Sequence, residues 1–272
     1  AAINLVTPMQ NIITNFGSGI TVAGAVLIAQ YIGAGEKEDA RSMANQIFIC
    51  AMGFAVVCAA LCFLGTPAIV NWLGADGGTA YYARVYLRVV IWDMPFLYMV
   101  NIFSAVHQAQ GDTVRPMLLN LGGITLNLFL DPFFMIILDM GTAGAALATL
   151  LAKAVPATVA FILLCRPEND ICLNRRYMRL QKEKLGMILK VGLPTAIGGS
   201  TMQLGFLLMS KNVFVYGTEA MAAYGIGNKV NGLITLPSNA IGSATATIVG
   251  QNMGAKQPER AEQGYRFSMW IS

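Results

Sequence analysis

An acid inside a run otherwise fit for hydrocarbon is the first chemical signal: Asp131 sits in NLFLDPFFMIIL, directly before Pro132. A charge at the centre of a bilayer helix costs about 2.5–3.5 kcal/mol or more, so by default it marks function. Asn127 lies one helical turn earlier on the same face. The turn LDMGTAG is centred near residue 140, with Asp131 and Thr149 each nine residues from it. At a rise of about 1.5 Å per residue, both stand roughly 13 Å below one surface. Carboxylate, amide carbonyl and hydroxyl oxygens suit a hard cation such as Na⁺, and a carboxylate alone suffices for a proton. Pro132 has no N–H, so the Leu128 carbonyl loses its helical partner and is free to serve as a further ligand or a hinge. Lys153 competes with this reading. It lies one turn beyond Thr149, level with Asn127, where its ammonium could neutralise Asp131 in a fixed pair or favour a proton-switched site.

Other intramembrane polar residues form a second tier. Asp93, beside Pro95 in VIWDMPF, is expected in the outer half of its helix, either lining the outer pathway or facing a wet crevice. Lys229 in GNKVNG, with Asn228 and Asn231, is expected at mid-membrane, lining a central cavity or pairing across it. Lys211 is expected to snorkel to the outer surface, and His107 to be a solvated or capping histidine. Met202, Gln203, Phe206 and Met209 share a helical spacing. That face would bury in packing or lipid, or would wall a promiscuous site with adaptable thioethers.

These side chains need membrane helices to hold them. The 272 residues are 56% hydrophobic and 12% charged, about half the charge of soluble domains. Apolar segments recur at roughly 3–32, 44–73, 82–110, 115–138, 143–165, 186–216 and 220–253, and an eighth helix begins near 258. Thirteen of the 18 basic residues fall in loops on one side, which the positive-inside rule makes cytoplasmic; Arg84 and Arg88 fall on the other. The basic run 166–190 has no interleaved aromatics, so it reads as membrane-surface charge rather than a nucleic-acid site. The five cysteines have no metal-ligand spacing.

The chain also repeats itself. At an offset of 221 residues, AVLIAQYIGAGEKEDA (25–40) falls on ATIVGQNMGAKQPERA (246–261), with Gln30/Gln251, Gly33/Gly254 and Ala40/Ala261 identical. Six helices per period is an even number, so the copies point the same way, as in transporters built of parallel repeats. The chain is expected to be a piece of a protein of about twelve spans.

Four runs in order, GAVLIAQYIGAGEKEDARSMANQ, AVHQAQGDTVRPM, NLFLDPFFMIILDMGTAGAALAT and GIGNKVNGLITLPSNAIGSATATIVGQNMGA, resemble the multidrug and toxic compound extrusion (MATE) family along essentially the whole chain. The resemblance implies an all-α polytopic membrane protein with two six-helix lobes around a central cavity. Residues 1–165 would be helices 2–6 of the first lobe, 166–185 a basic cytoplasmic linker, and 186–272 helices 7, 8 and the start of 9. It implies export of cationic or amphiphilic organic compounds in exchange for H⁺ or Na⁺. In relatives with an acid on the fifth helix, that Asp binds the cation with an Asn one turn before, a Thr on the sixth helix and a first-helix Asp. Asn127, Asp131 and Thr149 match the first three positions. No catalytic residue, cofactor or nucleic acid is expected. A monomer in the bacterial cytoplasmic membrane is, with a lipid-precursor flippase as the rival reading. That rival would show a more cationic cavity, and Lys153 and Lys229 keep it open.

Overall fold

The computed structural model describes residues 2–72, 91–167, 169–214 and 216–272, except for the side chains of 2–13, 67–72 and a few scattered positions, Lys211 among them. The described residues form eight α-helices: α1 Ala2–Gly33, α2 Lys37–Trp72, α3 Met94–Ala109, α4 Val114–Pro132, α5 Gly141–Cys165, α6 Lys182–Phe214, α7 Thr218–Gly254 and α8 Pro258–Ile271. There is no strand among the described residues. Residues 82–90 of the expected third helix, with Arg84 and Arg88, lie outside the described residues. Lys37–Thr66, Val114–Ile137 and Ala143–Cys165 are long and apolar enough to cross a bilayer.

α1 occupies the middle of the bundle, packed against α2, α3, α6 and α7, while α4 and α5 form a hairpin whose second helix packs on α3. The core gathers Ile28, Met43, Ile47, Ile102 and Phe103, with Ile171, Leu173 and Ile188 closing it from the basic linker and α6. Small residues make the closest crossings. The Gly19 and Gly192 backbones face each other where α1 crosses α6, and a Cβ on either would press on the other's carbonyl.

α2 begins at Lys37 rather than near 44. Its polar first turns are helical because Ala40, Met43, Ala44 and Ile47 face the core, while Glu38 and Asp39 complement the helix dipole. The buried Gln46 also works for the linker there. It donates to the carbonyls of Tyr177 (3.1 Å) and Arg179 (2.7 Å) and accepts from the Gln181 N–H (3.1 Å). Lys184 pairs with Asp39 at 2.9 Å, so the chain between α5 and α6 is strapped beneath α2.

The repeat is visible bond by bond. Ala34 N–H donates to Gln30 O and Ala255 N–H to Gln251 O, both at 2.9 Å; Glu36 N–H donates to Tyr31 O and Gln257 N–H to Asn252 O, again both at 2.9 Å. The next equivalent pair, Gly35 and Lys256, takes positive φ values of 78° and 57°. The two copies also meet. Gly33 lies on the Gln251 carbonyl and Gly254 on the Gln30 carbonyl, too close for any side chain at either glycine. These contacts exchange under the 221-residue offset, as a two-fold axis between the ends of α1 and α7 requires. Gln251 adds a cross-link, its side-chain N–H donating to Ala109 O at 2.7 Å.

Candidate functional site

The α4–α5 hairpin builds the site. Gly123 lets the two helices close up, since a Cβ there would stand 3.0 Å from the Pro156 ring and 3.1 Å from the Ala152 carbonyl. Beside this crossing, α3, α4 and α5 enclose a pocket of about 260 Å³, lined among others by Asn120, Asn127, Thr149, Lys153 and Pro156. Past Pro132 the helix widens into a π turn, Phe133–Ile137, in which Leu138 N–H reaches back to Phe133 O at 3.1 Å. A missing proline N–H breaks the i→i−4 ladder, and widening by one residue absorbs the offset. The chain then turns through Asp139 and Gly141, with φ of 49° and 54°.

Asn127 and Asp131 meet as one-turn neighbours, the amide N–H donating to the carboxylate at 3.4 Å. That is long for a hydrogen bond, and it leaves the amide oxygen and most of the carboxylate's acceptor capacity uncommitted. Both side chains are half-buried, and Asp131 meets the pocket through Asn127 rather than lining it itself. Thr149 lines the pocket and donates its hydroxyl to Ala145 O at 2.9 Å, so its oxygen is left with acceptor capacity only. The groups gathered here could hold a proton or a small hard cation. Pro132 is exposed.

Lys153 has a different partner from the one its spacing suggests. Its ammonium lies 2.5 Å from Asp93 Oδ2, not on Asp131. Asp93 ends a single 3₁₀ turn, Ile91–Asp93, immediately before α3, where Pro95 occupies the first turn and needs no N–H partner. Its carboxylate is 0% exposed against 31% for the lysine side chain, so Asp93 faces neither a wet crevice nor an open pathway. A buried carboxylate of this kind persists because it is paired.

Lys229 and Asn231 are exposed on α7, and Lys229 makes no ion pair among the described residues. Met202 is exposed and Gln203 half-buried on α6, and neither lines the pocket. His107 is buried rather than solvated. Its ring is hydrogen-bonded to Phe103 O at 2.9 Å and tilted against the Phe103 ring. The Lys211 side chain lies outside the described residues. A second cavity, of about 330 Å³, opens between the repeats and is lined by Ser18, Thr21, Asn101, Ser104, Gln108 and Ser243 among others. Sequence reasoning passed over these hydroxyls and amides. Their one signal is a polar residue every third or fourth position of α3, at Asn101, Ser104 and Gln108.

The MatE family profile matches residues 1–133 and 194–272. The chain belongs to this family. The MatE chain is 31% identical to a probable multidrug resistance protein NorM of Thermotoga maritima, over 92% of its own length and 55% of the relative's. It is 24% identical to the probable multidrug resistance protein YoeA of Bacillus subtilis, over 100% of this chain and 60% of that one. Among solved structures it superposes with a TM-score of 0.93 and 26% identity on an outward-facing multidrug resistance MATE family transporter of the MOP superfamily, covering 100% of this chain and 60% of that one. It is thus a polytopic helical membrane protein of a transporter family, and it spans between 55% and 60% of the length of these relatives.

Proposed function

We propose that this MatE chain is part of a secondary antiporter that exports small organic compounds, cationic or amphiphilic, in exchange for H⁺ or Na⁺ by alternating access. The observation that carries the reading is the Asn127–Asp131 pair, a carboxylate without an ion-pair partner among the described residues, beside a pocket that Asn127 and Thr149 line. Asp131 is the coupling acid; Asn127 and Thr149 complete the oxygen set if the ion is Na⁺. Names of relatives such as a multidrug export protein of Staphylococcus aureus, 28% identical over 83% of this chain, support the substrate class. The flippase reading loses its main support in the first half, because Asp93 neutralises Lys153 and leaves the pocket no spare ammonium for a pyrophosphate headgroup. We place the protein in the cytoplasmic membrane as a monomer, with the linker and the ends of α1 and α7 on the cytoplasmic side. It needs no cofactor beyond the coupling ion and has no nucleic-acid partner.

The test is Asp131→Asn in the full-length protein reconstituted into liposomes, with ion-driven efflux of a fluorescent cation as the readout. Folding is checked by thermal melting. Driven efflux should be abolished in a folded variant, and undiminished efflux contradicts the coupling role.

A further inference from the structure

We infer that Asp93 is a positioning residue for coupling: it holds the Lys153 ammonium away from Asp131 and so keeps the coupling acid open to its cation. The inference rests on the coupling role proposed above for Asp131.

Three observations carry it. Lys153 lines the same pocket as Asn127 and Thr149, and Asn127 is hydrogen-bonded to Asp131, so the ammonium and the coupling acid belong to one polar enclosure. A lysine stem reaches about 6 Å, roughly one helical pitch, and Lys153 is one turn from Thr149. Among the helices walling the pocket, α3 and α5 carry no carboxylate and α4 carries only Asp131. Among the described residues of these three helices, an ammonium released from Asp93 therefore has one acid to turn to, Asp131. The remaining ionisable groups on the elements packed about the Asp93 turn are Tyr98 of α3, the thiols of Cys50, Cys58 and Cys62 of α2 and that of Cys165 at the end of α5, none of which can hold an ammonium as a carboxylate can. The charged residues of α2, Lys37, Glu38, Asp39 and Arg41, are confined to its first turns. His107 sits at the opposite end of α3.

The geometry explains why a lysine is tolerated in a cation site. In the observed arrangement Lys153 is tied to a fully buried acid on another element, and its charge is cancelled there. Without that tie, lysine and coupling ion compete for the same oxygens.

The test uses the full-length protein in proteoliposomes, with ethidium efflux measured against the concentration of the driving cation. Asp93→Asn should raise the half-saturating Na⁺ by roughly tenfold while the maximal rate stays within about twofold. For proton coupling the same competition should raise the half-saturating proton concentration by roughly tenfold. Asp93→Asn/Lys153→Met should return the wild-type value, because the competitor is gone, and Asp93→Glu should keep it. A purely structural acid would lower the maximal rate and leave half-saturation alone, which overturns the inference. So does a raised half-saturation in the double variant, which remains measurable if Asp93→Asn does not fold. If Asp131→Asn leaves driven efflux intact, it is the coupling role itself that fails. If Asp131→Asn abolishes it and Asp93→Asn leaves half-saturation unchanged, only the present inference fails.

Discussion

The seam between the repeats and the pocket within the first repeat solve opposite problems with opposite residues. At the seam, Gly33 and Gly254 bring backbone against backbone, and the same backbone hydrogen bonds close the ends of both helices. In the pocket, charged and amide side chains meet asymmetrically. Lys153 is committed to Asp93, while Asp131 is left with one long bond from Asn127. A contact made of bare backbone can part and re-form without breaking an ion pair, which suits surfaces that must separate. A buried ion pair is costly to break, since removing one partner strands a charge, typically for about 3–5 kcal/mol. On the proposed alternating-access reading, the first region is the one suited to part and the second the one suited to stay, apart from the one acid it leaves uncompensated.

The largest break in this contrast comes from the seam. Gly33→Leu and Gly254→Leu place a side chain where a carbonyl already lies, so the ends of α1 and α7 must spread. Each should cut driven efflux by more than about tenfold, since a population held open at one face no longer cycles. Paired spin labels on α1 and α7 should report the wider separation. Equal effects at the two positions would confirm that the symmetry is functional, and unequal effects would confine it to the fold.

A smaller change sharpens the pocket side of the comparison. Thr149→Val keeps the shape and removes the hydroxyl of a pocket-lining residue. If Na⁺ is the coupling ion, half-saturating Na⁺ should rise several-fold, about 1 kcal/mol of lost ligation. If the ion is H⁺, the pH profile should be unaltered. Titrating efflux against each ion separately distinguishes the two.

Local features of both regions were legible in the sequence. The offset of 221 residues is plain in Gln30/Gln251 and Gly33/Gly254, and the helices follow from apolar runs broken at Gly, Pro and charge. Asn127 and Asp131 are one turn apart, so their meeting needs only helical geometry. What could not be read is long-range. Asp93 and Lys153 are 60 positions apart, and each alone looks like an isolated charge awaiting an unknown partner. That repeated glycines touch each other's copies, rather than some third helix, is likewise a fact of packing. The early start of α2 was missed because Lys37, Glu38, Asp39 and Arg41 read as loop residues, although Ala40 and Met43 among them are buried in the core.

The central claim is that Asp131 couples an ion gradient to substrate movement without itself forming the substrate path. It is tested most directly by measuring two activities of Asp131→Asn in one liposome preparation: ion-driven efflux, and exchange of labelled for unlabelled substrate with no ion gradient. The account predicts that driven efflux is lost while exchange continues at a rate within a few-fold of the unmodified protein. Loss of both to the same extent, or retention of both, would contradict it.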